Sequence, residues 1–248
     1  MDYQLANKTA LVTGGGRGIG RAICKALTNE GVRLAVCDIN LESACETAES
    51  VRKNGKEAFP FRLDVSRPVE IYDVVAQVRI RFGKIDILVN NAGICPRIPI
   101  DAIKEDDFDR IVGVNLKGTF FMSQALVSIM KEQRSGSIIN ISSIGARTGG
   151  VAASSVYAAT KAGIIALTKS YARLLAPYAT ANAIAPGVVD TDMMKIPEEQ
   201  VNSIVAQIPL GRMALAEEIA SLVLFLASPA ASYFTGATLD VNGGWFMY

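Results

Sequence analysis

The chain has 248 residues, 50% of them hydrophobic and 20% charged, which is ample for one sizeable core and excludes a disordered chain. Its 25 basic and 24 acidic residues give a net charge of +1, so there is no electrostatic footprint for nucleic acid or for an anionic membrane. Histidine is absent, which excludes a Ser-His-Asp hydrolase and strips the usual His/Cys zinc sites of their imidazole, so no metal is expected.

Apolar β-rich runs alternate with stretches of helical period along the whole chain. The pattern predicts a strand at Thr9–Val12, a glycine loop, a helix at Ile19–Asn29 closed by Gly31, and a second strand at Leu34–Cys37. A helix over Leu41–Lys53 ends at Asn54-Gly55, a third strand follows at Ala58–Leu63, and a helix over Val69–Phe82 stops at Gly83. Ile85–Val89 reads as the fourth strand, Asp106–Val114 and Gly118–Gln133 as two helices, and Ser137–Ile141 as the fifth strand. A helix of some two dozen residues, Ala153 to Ala176, precedes a sixth strand at Thr180–Ala185. Leu215–Ala227 is a late helix and Ala237–Val241 the last strand, while Asp190–Arg212, with Pro197 and Pro209, is the least regular stretch.

Continuous rather than alternating apolar strands imply a parallel sheet covered on both faces by helices. The expected fold class is therefore α/β, a doubly wound Rossmann-type sheet. With no repeat, low-complexity segment or linker, residues 1–248 are read as a single domain. No apolar run reaches the roughly 18 residues of a spanning helix, and no basic stretch precedes an apolar one at the N-terminus. Cys24, Cys37, Cys45 and Cys95 show no C-x-x-C spacing, so reduced thiols and a cytoplasmic location are expected.

Gly14, Gly18 and Gly20 lie directly after the first strand, spaced G-x-x-x-G-x-G. Residues without Cβ permit a tight turn and let a diphosphate approach backbone amides at a helix N-terminus. Asp38 ends the second strand, where a carboxylate accepts hydrogen bonds from an adenosine ribose and repels a 2′-phosphate; the alternative is a loop Asp that caps the helix starting near Leu41. Tyr157 and Lys161, at i and i+4, share one helix face. That pair means little alone, but Ser142-Ser143 and Asn90-Asn91-Ala92-Gly93 end strands at the carboxyl edge where open α/β sheets bind ligands.

Taken in order, the glycine loop, Asn90–Gly93, Ser143, the Tyr157/Lys161 pair and Pro186-Gly187 resemble the short-chain dehydrogenase/reductase family over essentially the whole chain, including Asn242-Gly243-Gly244 near its end. The resemblance implies a catalytic tetrad of Asn115, Ser143, Tyr157 and Lys161. Tyr157 would be the base for alcohol oxidation and the acid for ketone reduction, its phenol lowered by Lys161 and the nicotinamide charge. Ser143 would hold the substrate oxygen, Lys161 the nicotinamide ribose, and Asn115 a water linking Lys161 to solvent. Ser143 stands one residue farther from Tyr157 than in many members, with Ser142 as the fallback.

For the cofactor, the resemblance adds Arg17, Ile19 and Ile39 to the glycines and Asp38. It sets Asp64-Val65 beside the adenine, Asn91-Ala92-Gly93 beneath the cofactor, and Pro186, Gly187, Val189 and Thr191 at the carboxamide. Asn90 is read as a residue that stabilises the sheet.

The leading expectation is an NAD-dependent dehydrogenase of a small secondary alcohol or polyol, with NADP disfavoured by Asp38. The alternatives are an NADPH-dependent 3-oxoacyl-carrier-protein reductase, towards which Arg17 would lean, and a non-catalytic dinucleotide-binding regulator. Arg97 and Arg147 follow strand ends, where their guanidiniums would converge on an anionic group of the substrate; the alternative, which weighs more, is that each is a solvated loop residue or pairs with a nearby acid such as Asp101. A homotetramer is expected from the helices over Asp106–Gln133 and Ala153–Ala176, whose apolar and small residues, including Ala158, Ala159, Ala162 and Ile165, cover more than one face. The apolar Trp245-Phe246-Met247-Tyr248 would cover a neighbouring subunit.

Overall fold

The computed structural model describes residues 3–52, 57–150, 154–194 and 197–247. Its strands are β1 (Thr9–Thr13), β2 (Arg33–Asp38), β3 (Ala58–Arg62), β4 (Ile87–Asn90), β5 (Ser137–Ile141), β6 (Thr180–Pro186) and β7 (Thr238–Val241). All pair in parallel in one sheet of order β3-β2-β1-β4-β5-β6-β7. The order reverses between β1 and β4, and that switch point opens the crevice where doubly wound sheets hold ligands. The main helices are α1 (Gly18–Asn29), α2 (Leu41–Arg52), α3 (Pro68–Phe82), α4 (Glu105–Val112), α5 (Gly118–Gln133), α6 (Gly145–Thr148), α7 (Ser155–Leu175), α8 (Glu198–Val205) and α9 (Ala216–Ala227).

Every residue of β1, β4 and β5 is buried, because successive side chains enter two different cores. Ala10 and Val12 of β1 join Ile23, Leu27, Ala48 and Val223 from α1, α2 and α9. Leu11, between them, joins Val75, Val78, Met122, Leu126 and Ala172 from α3, α5 and α7. A sheet apolar on both faces has no stable place for alternating polar residues, hence the continuous runs in the sequence.

The structure departs from the expected elements where long-range contacts decide. β4 begins at Ile87 rather than Ile85, since the Ile85 N–H and C=O are taken by the Gln133 side chain at 3.1 and 3.0 Å. The two helices expected around residue 116 are one rod, α4 and α5 joined by a π-turn over Gly113–Lys117. The irregular stretch Asp190–Arg212 contains a single 3-10 turn at Asp192–Met194 and the helix α8, which follows Pro197 and opens on Glu198 and Glu199. Residues Lys53, Asn54-Gly55 and Ala153, expected at helix ends, lie outside the described residues. Among the described residues no helix is long and apolar enough to cross a membrane, and no His/Cys/Asp/Glu cluster could hold a metal.

Candidate active site

The glycine loop turns sharply out of β1. Gly14 and Gly18 have φ of +62° and +51°, and a Cβ on Gly20 would fall 2.0 Å from the Gly14 carbonyl oxygen. Arg17, exposed and extended, heads α1 without a side-chain cap, so the leading N–H groups of that helix, those of Gly18, Ile19 and Gly20, have no side-chain acceptor there. Such a bare helix start beside backbone that tolerates no Cβ fits the diphosphate of a dinucleotide.

Asn91 pins this loop to the end of β4. Its Nδ2 donates to the carbonyl oxygens of Thr13 and Gly14 at 3.1 and 3.0 Å. The Thr13 hydroxyl in turn accepts from the Asn91 and Ala92 N–H groups, both at 3.1 Å. Thr13 is thus a positioning residue that sequence reasoning missed, although a hydroxyl where a strand meets its glycine loop was the available signal.

Asp38 lies against the same loop. Its Oδ2 accepts from Gly16 N–H at 2.9 Å and its Oδ1 from Asn40 N–H at 3.0 Å. The helix-capping alternative falls to Asn40 instead, whose Oδ1 accepts from Ser43 N–H at 3.1 Å. Ile39 beside it is 61% exposed. Asp64, two residues past β3, accepts from the N–H and hydroxyl of Ser66, while Val65 is buried against Gly118. Across the cleft, Gly187 N–H donates to Val241 O at 2.8 Å, and Val189 bridges to Ala214. Pro186 ends β6, and the Thr191 methyl group lies 3.5 Å from where a Gly18 Cβ would be. The segment after β6 therefore passes over the glycine loop.

The acid–base groups come from α7, whose N-cap Ser154 accepts from Tyr157 N–H at 3.3 Å. Lys161 is only 4% exposed; its Nζ donates to Ile141 O at 2.7 Å and stands 5.6 Å from the centre of the Tyr157 ring. Ser143 lies beside the Tyr157 ring, both groups against Gly145, and its Oγ accepts from Gly145 N–H at 3.0 Å. Ser142 instead donates to Lys161 O at 2.8 Å, so it braces the helix and only Ser143 meets the phenol.

Asn115 sits in the π-turn. Its Oδ1 accepts from Ile94 N–H at 2.8 Å, and its Nδ2 donates to Ile94 O and Thr160 Oγ1 at 2.9 and 3.2 Å. Its own carbonyl takes the Thr119 hydroxyl at 2.8 Å. A Cβ on Gly93 would lie 3.3 Å from Asn115 Oδ1 and 3.5 Å from Lys161 Nζ, so the three residues share one corner of the cleft.

Burial acts on the pair in opposite directions. It pushes the Tyr157 phenol up, aided by the Cys95 thiol and opposed by the Ser143 hydrogen bond. It lowers the Lys161 ammonium to about 8, opposed by Cys95. The phenol depression expected from the sequence therefore does not arise from these protein groups, because desolvation outweighs a cation held against a carbonyl. Left to them, Tyr157 is a protonated donor at neutral pH. Cys95, whose thiol burial also raises, is a second cleft residue that sequence reasoning passed over.

The two arginines take different partners. Arg97 Nη2 lies 3.5 Å from Met193 O and from Met194 Sδ, whereas Arg147 forks onto Asp240 with both contacts at 3.4 Å. Arg147 thus follows the ion-pair alternative, with Asp240 as its acid in place of Asp101. An acid on β7, distant in sequence, holds Arg147, while Arg97 reaches the loop after β6.

A family model described as "Enoyl-(Acyl carrier protein) reductase" matches residues 14–246. The chain is 43% identical to the 3-oxoacyl-[acyl-carrier-protein] reductase FabG of Salmonella typhimurium, over 97% of this chain and 98% of that one. It is 42% identical to a sorbitol dehydrogenase of Cereibacter sphaeroides, over 98% and 99% of the two chains. The crystal structure of gox2181 superposes with a TM-score of 0.94 at 33% identity, covering 98% of each chain. A whole-length match to these sequences, on a sheet that brings Ser143, Tyr157 and Lys161 to its carboxyl edge, makes this chain a member of the short-chain dehydrogenase/reductase family and an NAD(P)-dependent oxidoreductase.

Proposed function

We propose that this enzyme reduces the ketone of a 3-oxoacyl thioester to a secondary alcohol. The reaction type rests on one observation, the half-buried Tyr157 phenol beside Ser143 and one helical turn from the buried Lys161. The substrate rests on the relatives, among which the 3-oxoacyl-[acyl-carrier-protein] reductase name favours this reading over the small alcohol or polyol expected from the sequence. Bound in the cleft, the nicotinamide would supply the hydride. Gly14, Gly18, Ile19 and Gly20 would hold its diphosphate, Asp38 the adenosine ribose, and Lys161 the nicotinamide ribose. Tyr157 Oη gives its proton to the substrate oxygen, and Ser143 donates a hydrogen bond to that oxygen as it gains charge. Asn115, fixed to Ile94, keeps the corner around Lys161 in place.

NAD(H) is the proposed dinucleotide. The Asp38 carboxylate sits 2.9 Å from the glycine-loop amide of Gly16, where a 2′-phosphate would meet like charge. That placement, with the sorbitol dehydrogenase at nearly equal identity, favours a second reading, the NAD-linked oxidation of a polyol. The two are separated by following reduced nicotinamide with a short 3-oxoacyl thioester and with sorbitol, each with both dinucleotides. A kcat/KM for the thioester at least about tenfold higher, or roughly 1.4 kcal/mol of transition-state preference, is expected. The reverse ratio would establish the second reading, and turnover of neither would end both.

A further inference from the structure

We propose that Arg147 and Asp240 are a positioning pair, which sets Ser143 against Tyr157 by clamping α6 to the β6–β7 edge; the inference rests on the catalytic reading above. Ser143 stands two residues before α6, and its Oγ accepts from the N–H of Gly145, the first residue of that helix. A Cβ on Gly145 would lie 3.4 Å from Ser143 Oγ and 3.6 Å from Tyr157 Cε1, so the α6 backbone itself abuts the phenol. Wherever α6 sits, Ser143 follows.

A helix of four residues has no stability of its own and stays where tertiary contacts hold it. Its N-terminal end is held by Ile144, buried and donating its N–H to Pro186 O at 2.8 Å. Its C-terminal end is held by the Arg147 fork onto Asp240. Both anchors reach the same place, since Asp240 pairs in register with Ala185, the residue before Pro186. The ion-pair side chains are 25% and 17% exposed, so they carry a desolvation cost that a surface pair would not. The guanidinium is thereby turned toward β7.

The test compares wild type with Asp240→Asn, Arg147→Met, Arg147→Lys and Ser143→Ala. In the first two, kcat should fall about tenfold or more, as sub-ångström misplacement of a catalytic group does, with KM for the dinucleotide within about twofold. The Tyr157 limb of the kcat–pH profile should move upward, as in Ser143→Ala, and Arg147→Lys should recover part of the loss. Fluorotyrosine-labelled protein, with the Tyr157 resonance assigned by Tyr157→Phe, gives the same answer without turnover. In Asp240→Asn that resonance should move toward its Ser143→Ala position. Loss of activity in a folded variant with the resonance unmoved, or a change confined to substrate KM, would overturn the proposal. A wild type that turns over no carbonyl would sink the catalytic reading, while the resonance would still decide the pair.

Discussion

Tyr157 and Lys161 carry opposite debts to burial, and the remedy for each is a charge brought by the dinucleotide. Replacing Tyr157 with Phe removes the proton donor and little volume, so kcat should fall by about 10²- to 10⁴-fold. NADH affinity, read by fluorescence titration, should stay within about twofold; more than a tenth of wild-type activity would mean another group moves the proton. For Lys161 the sign follows from a value near 8 in the uncomplexed protein. An anionic dinucleotide favours the ammonium, so its affinity should be flat below about pH 8 and weaken above it, by at most about tenfold per pH unit. A dissociation constant unchanged between about pH 7 and 9.5 would contradict the assignment. At Asp38, exchange to Ala together with Ile39→Arg should raise the NADP(H)/NAD(H) ratio of kcat/KM at least about tenfold.

At the scale of elements, local chemistry and distant contacts divide the structure between what the sequence discloses and what it hides. β5 matches its expected bounds of Ser137–Ile141 because a run buried on both faces, ended by turn residues, reads the same in sequence and in space. The glycine loop and the Tyr157/Lys161 face are local in the same sense. The π-turn was hidden because Gly113 and Asn115, poor helix formers, read as a break between two helices, whereas in the fold Asn115 bonds backbone around Ile94, 21 residues away. α6 was hidden by being one turn long, and the Arg147 partner by lying 93 residues off. The glycine loop yields the sharpest prediction at this scale. A methyl group on Gly20 would collide with backbone, the Gly14 carbonyl, which has no rotamer to yield. Gly20→Ala should therefore abolish measurable dinucleotide binding, whereas Gly149→Ala, with nothing within 4 Å of the added carbon, should leave it intact despite some strain at φ +78°. Equal affinities in the two variants would remove the loop from the binding site.

For the whole molecule the question is what covers the outer face of α7 and the chain's apolar tail. Of the four residues that suggested a wide apolar arc, Ala158 and Ile165 are buried within the chain, whereas Ala159 and Ala162 are exposed. With Ala166 and Leu174 they run along the side of α7 turned away from the sheet, and Phe108 of α4 is exposed as well. Small side chains on a helix face let a second helix approach closely, and apolar exposure of this kind is usually covered in an assembly. Other apolar side chains are uncovered too: Tyr233 is fully exposed and Met247 78% exposed. A pair of isologous interfaces, one on the α7 face and one at these residues, would close into a tetramer of dihedral symmetry. Light scattering at micromolar concentration should therefore give four times the 26.4 kDa chain mass. Ala162→Arg, which places a charge on the α7 face, should reduce the mass to that of a dimer while dinucleotide binding persists. A monomer in the wild type would refute the assembly. An unchanged tetramer in the variant would move the interface off α7.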